Sequence, residues 1–114
     1  MSFFDSEVVR AEMAEISDLQ ETIYNNVFKF PSMAVEDKLH HIDLLQRLLD
    51  KQKVLYTRLS LSDDPKAKEM KERILQSASM MGLPSNVDLN VIFNNMTALI
   101  KSMRERIDKT GSDL

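Results

Sequence analysis

The sequence predicts an all-α protein of about four helices, two of them long, in a compact or dimeric helical bundle. Apolar residues recur at three- and four-residue spacing along most of the 114 residues, the rhythm of helices that bury one face. The chain holds only two glycines and three prolines, and Gly82, Gly111, Pro31, Pro65 and Pro84 all fall where the apolar rhythm breaks. Helix start and stop signals lie at the same breaks.

In the first helix Val9, Met13, Ile16, Ile23, Val27 and Phe30 line one face, with Gln20 interrupting it. Asp5 is the expected N-cap, and Phe4 before it would pair with Val9 as a hydrophobic staple. Glu7 and Asp5 suit the positive end of the helix dipole. Pro31 disfavours helical geometry at Phe30, so a short turn is expected there, with Ser32 capping a second helix. That helix runs from about Met33 to Leu59, roughly 40 Å at 1.5 Å per residue. It carries one stripe of Leu39, Ile42, Leu45 and Leu49 and another of Leu44, Leu48, Leu55 and Leu59. Two stripes imply neighbours on more than one side, which makes it the central helix.

In the segment LSLSDDPKAKEMKERIL, Asp64 is the expected cap and Pro65 the first helical residue, where a missing N–H costs nothing. Ala67, Met70, Ile74, Ala78 and Met81 form the predicted buried stripe of a short third helix, with Glu69 and Arg73 as an exposed i, i+4 pair. Gly82 is available for a left-handed cap, and Pro84 follows it. Ser85 and Asp88 resemble a capping box for the last helix. There Leu89, Ile92, Met96, Leu99, Met103 and Arg106 give the most regular repeat, broadened by Phe93, Ile100 and Ile107, and Gly111 is expected to end it. Residues 1–114 thus read as one all-helical domain with a short polar tail.

Composition narrows the functional classes. With 43% hydrophobic and 29% charged residues the chain lies in the globular range, able to bury roughly two-thirds of its unfolded surface. It has no cysteine, so disulfides and thiolate metal sites are excluded, which suits a reducing cytoplasm. No apolar run approaches the ~20 residues of a membrane span, and the start lacks a basic segment followed by an apolar one. The expectation is a cytoplasmic protein without a membrane partner. Net charge is −3, but residues 1–50 hold 4 basic and 10 acidic side chains whereas residues 51–114 hold 11 and 8. Opposite charges could draw the halves together, within one chain or between copies.

Candidate chemistry is sparse. In EDKLHHID, Glu36 with His40, or Asp37 with His40 or His41, offers two metal ligands from one helix face, but a di-iron bundle needs two Glu-x-x-His motifs and further carboxylates, and there is no third histidine. Solvated or hydrogen-bonded histidines are the simpler reading. Serine and threonine fall mainly at caps, and no glycine-rich phosphate loop occurs. No enzyme, cofactor or metal is expected. Between Arg47 and Arg73 stand 8 basic and 5 acidic residues with Tyr56 among them, which makes Arg47, Lys51, Lys53 and Arg58 candidate phosphate contacts of a nucleic-acid-binding or transcription-associated module. Interruption by acids favours a solvated helix surface instead. Of the eight methionines, Met70, Met81, Met96 and Met103 fall on predicted core stripes, while Met13, Met33 and Met80 could belong to an adaptable surface.

The opening FFDSEVV (Phe3 to Val9), the central RLSLSDDP (Arg58 to Pro65) and the later MMGLP followed by Phe93, Met96 and Met103 resemble a small helical family of cyanobacteria and their viruses, known as a domain of unknown function. The segment between Leu19 and Glu36, and Leu59, depart from that pattern. The resemblance implies a cyanobacterial cytoplasm, that of the host if the protein is viral, and no activity or catalytic residue. Together these readings favour a non-enzymatic helical interaction or regulatory protein that binds itself, as a homodimer or higher assembly, and a further protein. Its candidate contact residues are Phe3, Phe4, Leu44, Leu48, Leu55, Leu89, Ile92, Met96, Leu99 and Met103; the alternative is nucleic-acid binding through Arg47 to Arg73.

Overall fold

The computed structural model describes residues 2–83 and 88–112, with side chains to residue 109. Four α-helices are present, α1 (Glu7–Asn26), α2 (Val35–Leu61), α3 (Pro65–Met80) and α4 (Leu89–Ser112), with 3-10 helices over Phe3–Asp5 and Val27–Ser32 and no strand among the described residues. α2 touches each of the other three helices and is the axis of the molecule. Along it, Arg58 meets Glu12 and Lys51 meets Glu15, so α1 runs antiparallel to α2. Lys53 meets Asn94 and Asp43 meets Arg104, so α4 does too. α3 turns back beside the end of α2 and also touches the first 3-10 turn. The long axial helix stretches the molecule to 54 × 32 × 20 Å with a radius of gyration of 16.6 Å, against about 13 Å for a compact domain of ~100 residues.

The core is the set of faces turned toward α2. Val9, Ile16 and Ile23 of α1, Ile42, Leu49 and Leu59 of α2, and Ala67 and Ala78 of α3 are buried, close to the predicted stripes. The two alanines let α3 approach closely. Asp64 caps α3 by accepting the Lys66 N–H at 3.1 Å, with Pro65 in the first turn, as the sequence predicts. Gly82 closes α3 at φ +94°, a conformation glycine adopts without steric cost, and Leu83 N–H returns to the Ala78 carbonyl at 3.0 Å. Glu69 and Arg73 pair at 2.7 Å.

Several boundaries differ from expectation. Ser6, not Asp5, caps α1 by accepting the Val9 N–H at 3.4 Å. Asp5 instead completes a reciprocal capping box with Ser2 around the first 3-10 turn. With that cap Val9 is the third helical residue, out of register for a staple with Phe4. After α1 the chain tightens into a 3-10 helix through Pro31 rather than a simple turn, and Ser32 donates to the Lys29 carbonyl. α2 therefore starts after Ala34, whose side chain can cap nothing, and continues to Leu61. Met81 was expected in the α3 stripe but lies past the helix end, 83% exposed. Asp88 caps α4 through the Asn90 N–H at 2.9 Å, while Ser85, the other half of the expected box, lies outside the described residues. α4 passes through Gly111 to Ser112 instead of ending at the glycine.

Candidate functional site

Two apolar features bring predicted contact residues together. The first lies under the amino terminus. Phe3 and Phe4 meet edge to face, 5.1 Å between ring centroids and 89° between planes, and both are half-buried. The Phe3 N–H donates to the Asp64 carboxylate, so one side chain caps α3 with one oxygen and anchors the start of the chain with the other. The Phe3 N–H first, then the Lys66 N–H, hold the Asp64 carboxyl below its ordinary pKa.

Beneath the two rings is a half-open cavity of about 380 Å³. α1 contributes Met13 and Ile16, α3 contributes Met70 and Ile74, and Phe93 of α4 closes one side. Leu55, Leu59, Gln52 and Tyr56 of α2 complete the wall, with the Tyr56 and Phe93 rings 5.9 Å apart. No charged residue is among the described residues that line it.

The second feature is a flank of α4. Ile92, Met96, Leu99 and Met103 share one helix face by their spacing, but only part of it is covered. Leu89 is buried, Ile92 and Met103 are half-buried, and Met96 and Leu99 are 45% and 63% exposed. Met96 was expected within a core stripe. The contact with α2 instead centres on a neighbouring line that includes Phe93 and Arg104, rotating Met96 and Leu99 outward. Leu44, Leu48 and Leu55 are half-buried; Leu55 faces the cavity and Leu44 borders a depression beside His40 and His41. The ten predicted contact residues therefore divide among the cavity, the α4 flank and the sides of α2.

Of the four candidate phosphate contacts, three are held within the chain. Lys51 pairs with Glu15, Arg58 with Glu12 at 3.1 Å, and Lys53 with Asn94 at 3.3 Å. Arg47 is exposed. Lys51 holds the Glu15 carboxyl below its ordinary pKa by a hydrogen bond and by its charge. The acidic first half and basic second half thus meet inside one molecule, along the α1–α2 contact.

The histidine pair separates into one exposed and one buried ring. His41 is 5% exposed, lies 5.2 Å from the Phe30 ring, and its Nδ1 has no hydrogen-bond partner. Burial first, then the neighbouring His40, push its pKa down. No group of three or more metal-capable side chains forms among the described residues, nor is any described helix long and apolar enough to cross a membrane. Sequence reasoning missed the double use of Asp64 and the cavity, since both depend on segments distant in the chain meeting. The only advance signal was the aromatic pair Phe3-Phe4 placed where a terminus is usually polar.

No curated protein matches this sequence, and no solved structure matches this fold. The family described as Domain of unknown function (DUF1825) matches residues 1–107, nearly the whole chain, and the protein belongs to that family.

Proposed function

We infer that the protein is a non-enzymatic helical interaction protein with a regulatory role, which self-associates through the open flank of α4 and acts in the cytoplasm of a cyanobacterium or of one infected by a virus. The exposed pair Met96 and Leu99, continuous with half-buried Ile92 and Met103, carries this reading. An apolar line at helical spacing fits the matching line of a second helix. Methionine adds the adaptability that such surfaces use. The absence of cysteine from the sequence fits the reducing compartment.

Sedimentation equilibrium across the micromolar range tests it. The expected result is a dimer that Met96→Lys converts to a monomer of unchanged helix content, because Met96 is not needed for the fold of one chain. A monomer at every concentration would remove the self-association. Engagement of Lys51, Lys53 and Arg58 within the chain supports ranking nucleic-acid binding second. Submicromolar, steeply salt-dependent binding to DNA or RNA, weakened by reversing Arg47, Lys51 and Arg58, would reverse that ranking, since nonspecific binders sit at ~10⁻⁴ to 10⁻⁶ M.

A further inference from the structure

We propose that the cavity beneath Phe3 and Phe4 is a binding site for a small neutral molecule with a largely apolar, ring-containing skeleton and one hydrogen-bonding group. Its lining gathers four of the chain's seven aromatic residues, Phe3, Phe4, Tyr56 and Phe93, together with Met13 and Met70. Aromatic faces and polarizable thioethers suit a flat apolar partner. The volume of about 380 Å³ falls at the small end of the range found for small-molecule sites, roughly 300–1,000 Å³. A helix, about 10 Å across with its side chains, is too wide to enter without displacing the first 3-10 turn. Apolar walls of this kind gain by exchanging water for an apolar solute.

Charge and polarity define the ligand further. With no charged side chain among the described residues of the wall, an ionised ligand would lose hydration without compensation from them. Gln52 and Tyr56 stand one turn apart on the same face of α2, and neither side chain makes a hydrogen bond to a described residue. They offer a donor and an acceptor to one polar group. Phe3, held at its backbone by Asp64, roofs the cavity and ties occupancy to the order of the amino terminus.

The test uses N-phenyl-1-naphthylamine, a neutral probe whose fluorescence rises in apolar surroundings, with methyl NMR on the wild-type protein. The expected result is saturable binding of one probe per chain, shifts at the Met13, Met70 and Ile74 methyls, and a higher melting temperature. Met70→Trp, or Ile74→Phe should the first not fold, fills the space and weakens binding about tenfold or more, a loss of about 1.4 kcal/mol. Met96→Lys keeps binding, which separates this site from the α4 flank. No saturable binding, shifts confined to Met96 and the Leu99 methyls, or undiminished affinity in a folded cavity-filled variant would each overturn the assignment.

Discussion

α1 and α4 both lie antiparallel along α2, yet they are used differently. α1 buries Val9, Ile16 and Ile23 at regular intervals and ties Glu12 and Glu15 to basic residues of α2. α4 is longer and has the more regular apolar repeat, but of its described residues only Leu89 is buried. The difference lies in the width of the apolar arc. On α4 that arc spans two adjacent lines, and α2 covers one of them. A helix with a single narrow stripe is satisfied by one partner, whereas a helix with a double stripe retains capacity for another.

The largest expected effect compares the two helices directly. Ile16→Ala leaves a cavity between α1 and α2 and should cost about 2–4 kcal/mol in urea unfolding, while Leu99→Ala, measured at concentrations that favour monomer, should stay within about 0.5 kcal/mol. Equal losses would break the comparison, for they would mean that the α4 flank is packed within one chain. Next, Phe3→Ala should cost roughly 1–2 kcal/mol, somewhat less than full burial of a phenylalanine. Amide exchange at the start of α3 should quicken with it, because Phe3 and α3 are joined through Asp64. A variant as stable as wild type would detach the amino terminus from the core.

A smaller effect follows from His41. Its folded pKa lies below its unfolded value, so at acid pH the unfolded chain binds the extra proton more readily. The contribution to stability is present above the unfolded pKa, near pH 6.5, and is lost as pH falls below it. The melting temperature should therefore drop between neutral and mildly acid pH, and His41→Gln should flatten that slope. An unchanged slope in the variant would assign the pH dependence to other groups. The smallest effects concern the ion pairs. Glu12, whose side chain is 18% exposed, meets Arg58, and Asp43, at 61%, meets Arg104. Glu12→Gln should cost up to about 1 kcal/mol and Asp43→Asn a few tenths, both fading in salt. The reverse order would put the stronger electrostatic contact on the α4 side.

The sequence by itself determined the helices and most of their inward faces. Period, proline position and cap chemistry are local properties, so Asp64-Pro65, Gly82 and the Val9, Ile16, Ile23 stripe were legible residue by residue. Local reasoning erred by one to two residues where two capping residues competed, as at Asp5 and Ser6, because each can accept the same kind of backbone N–H and only the path of the preceding chain decides between them. The candidate site was less legible. Spacing shows that Ile92, Met96, Leu99 and Met103 share a face, but Phe93 and Ile100 lie beside them on the same arc, and only docking against α2 selects the line to be covered. The pairing of Glu12 and Glu15 with Arg58 and Lys51 and the anchoring of Phe3 by Asp64 join residues roughly 35 to 60 positions apart, and the cavity brings Phe3 to Phe93 from still farther along the chain. Such contacts depend on the relative placement of whole helices, a long-range property that helical periodicity does not encode.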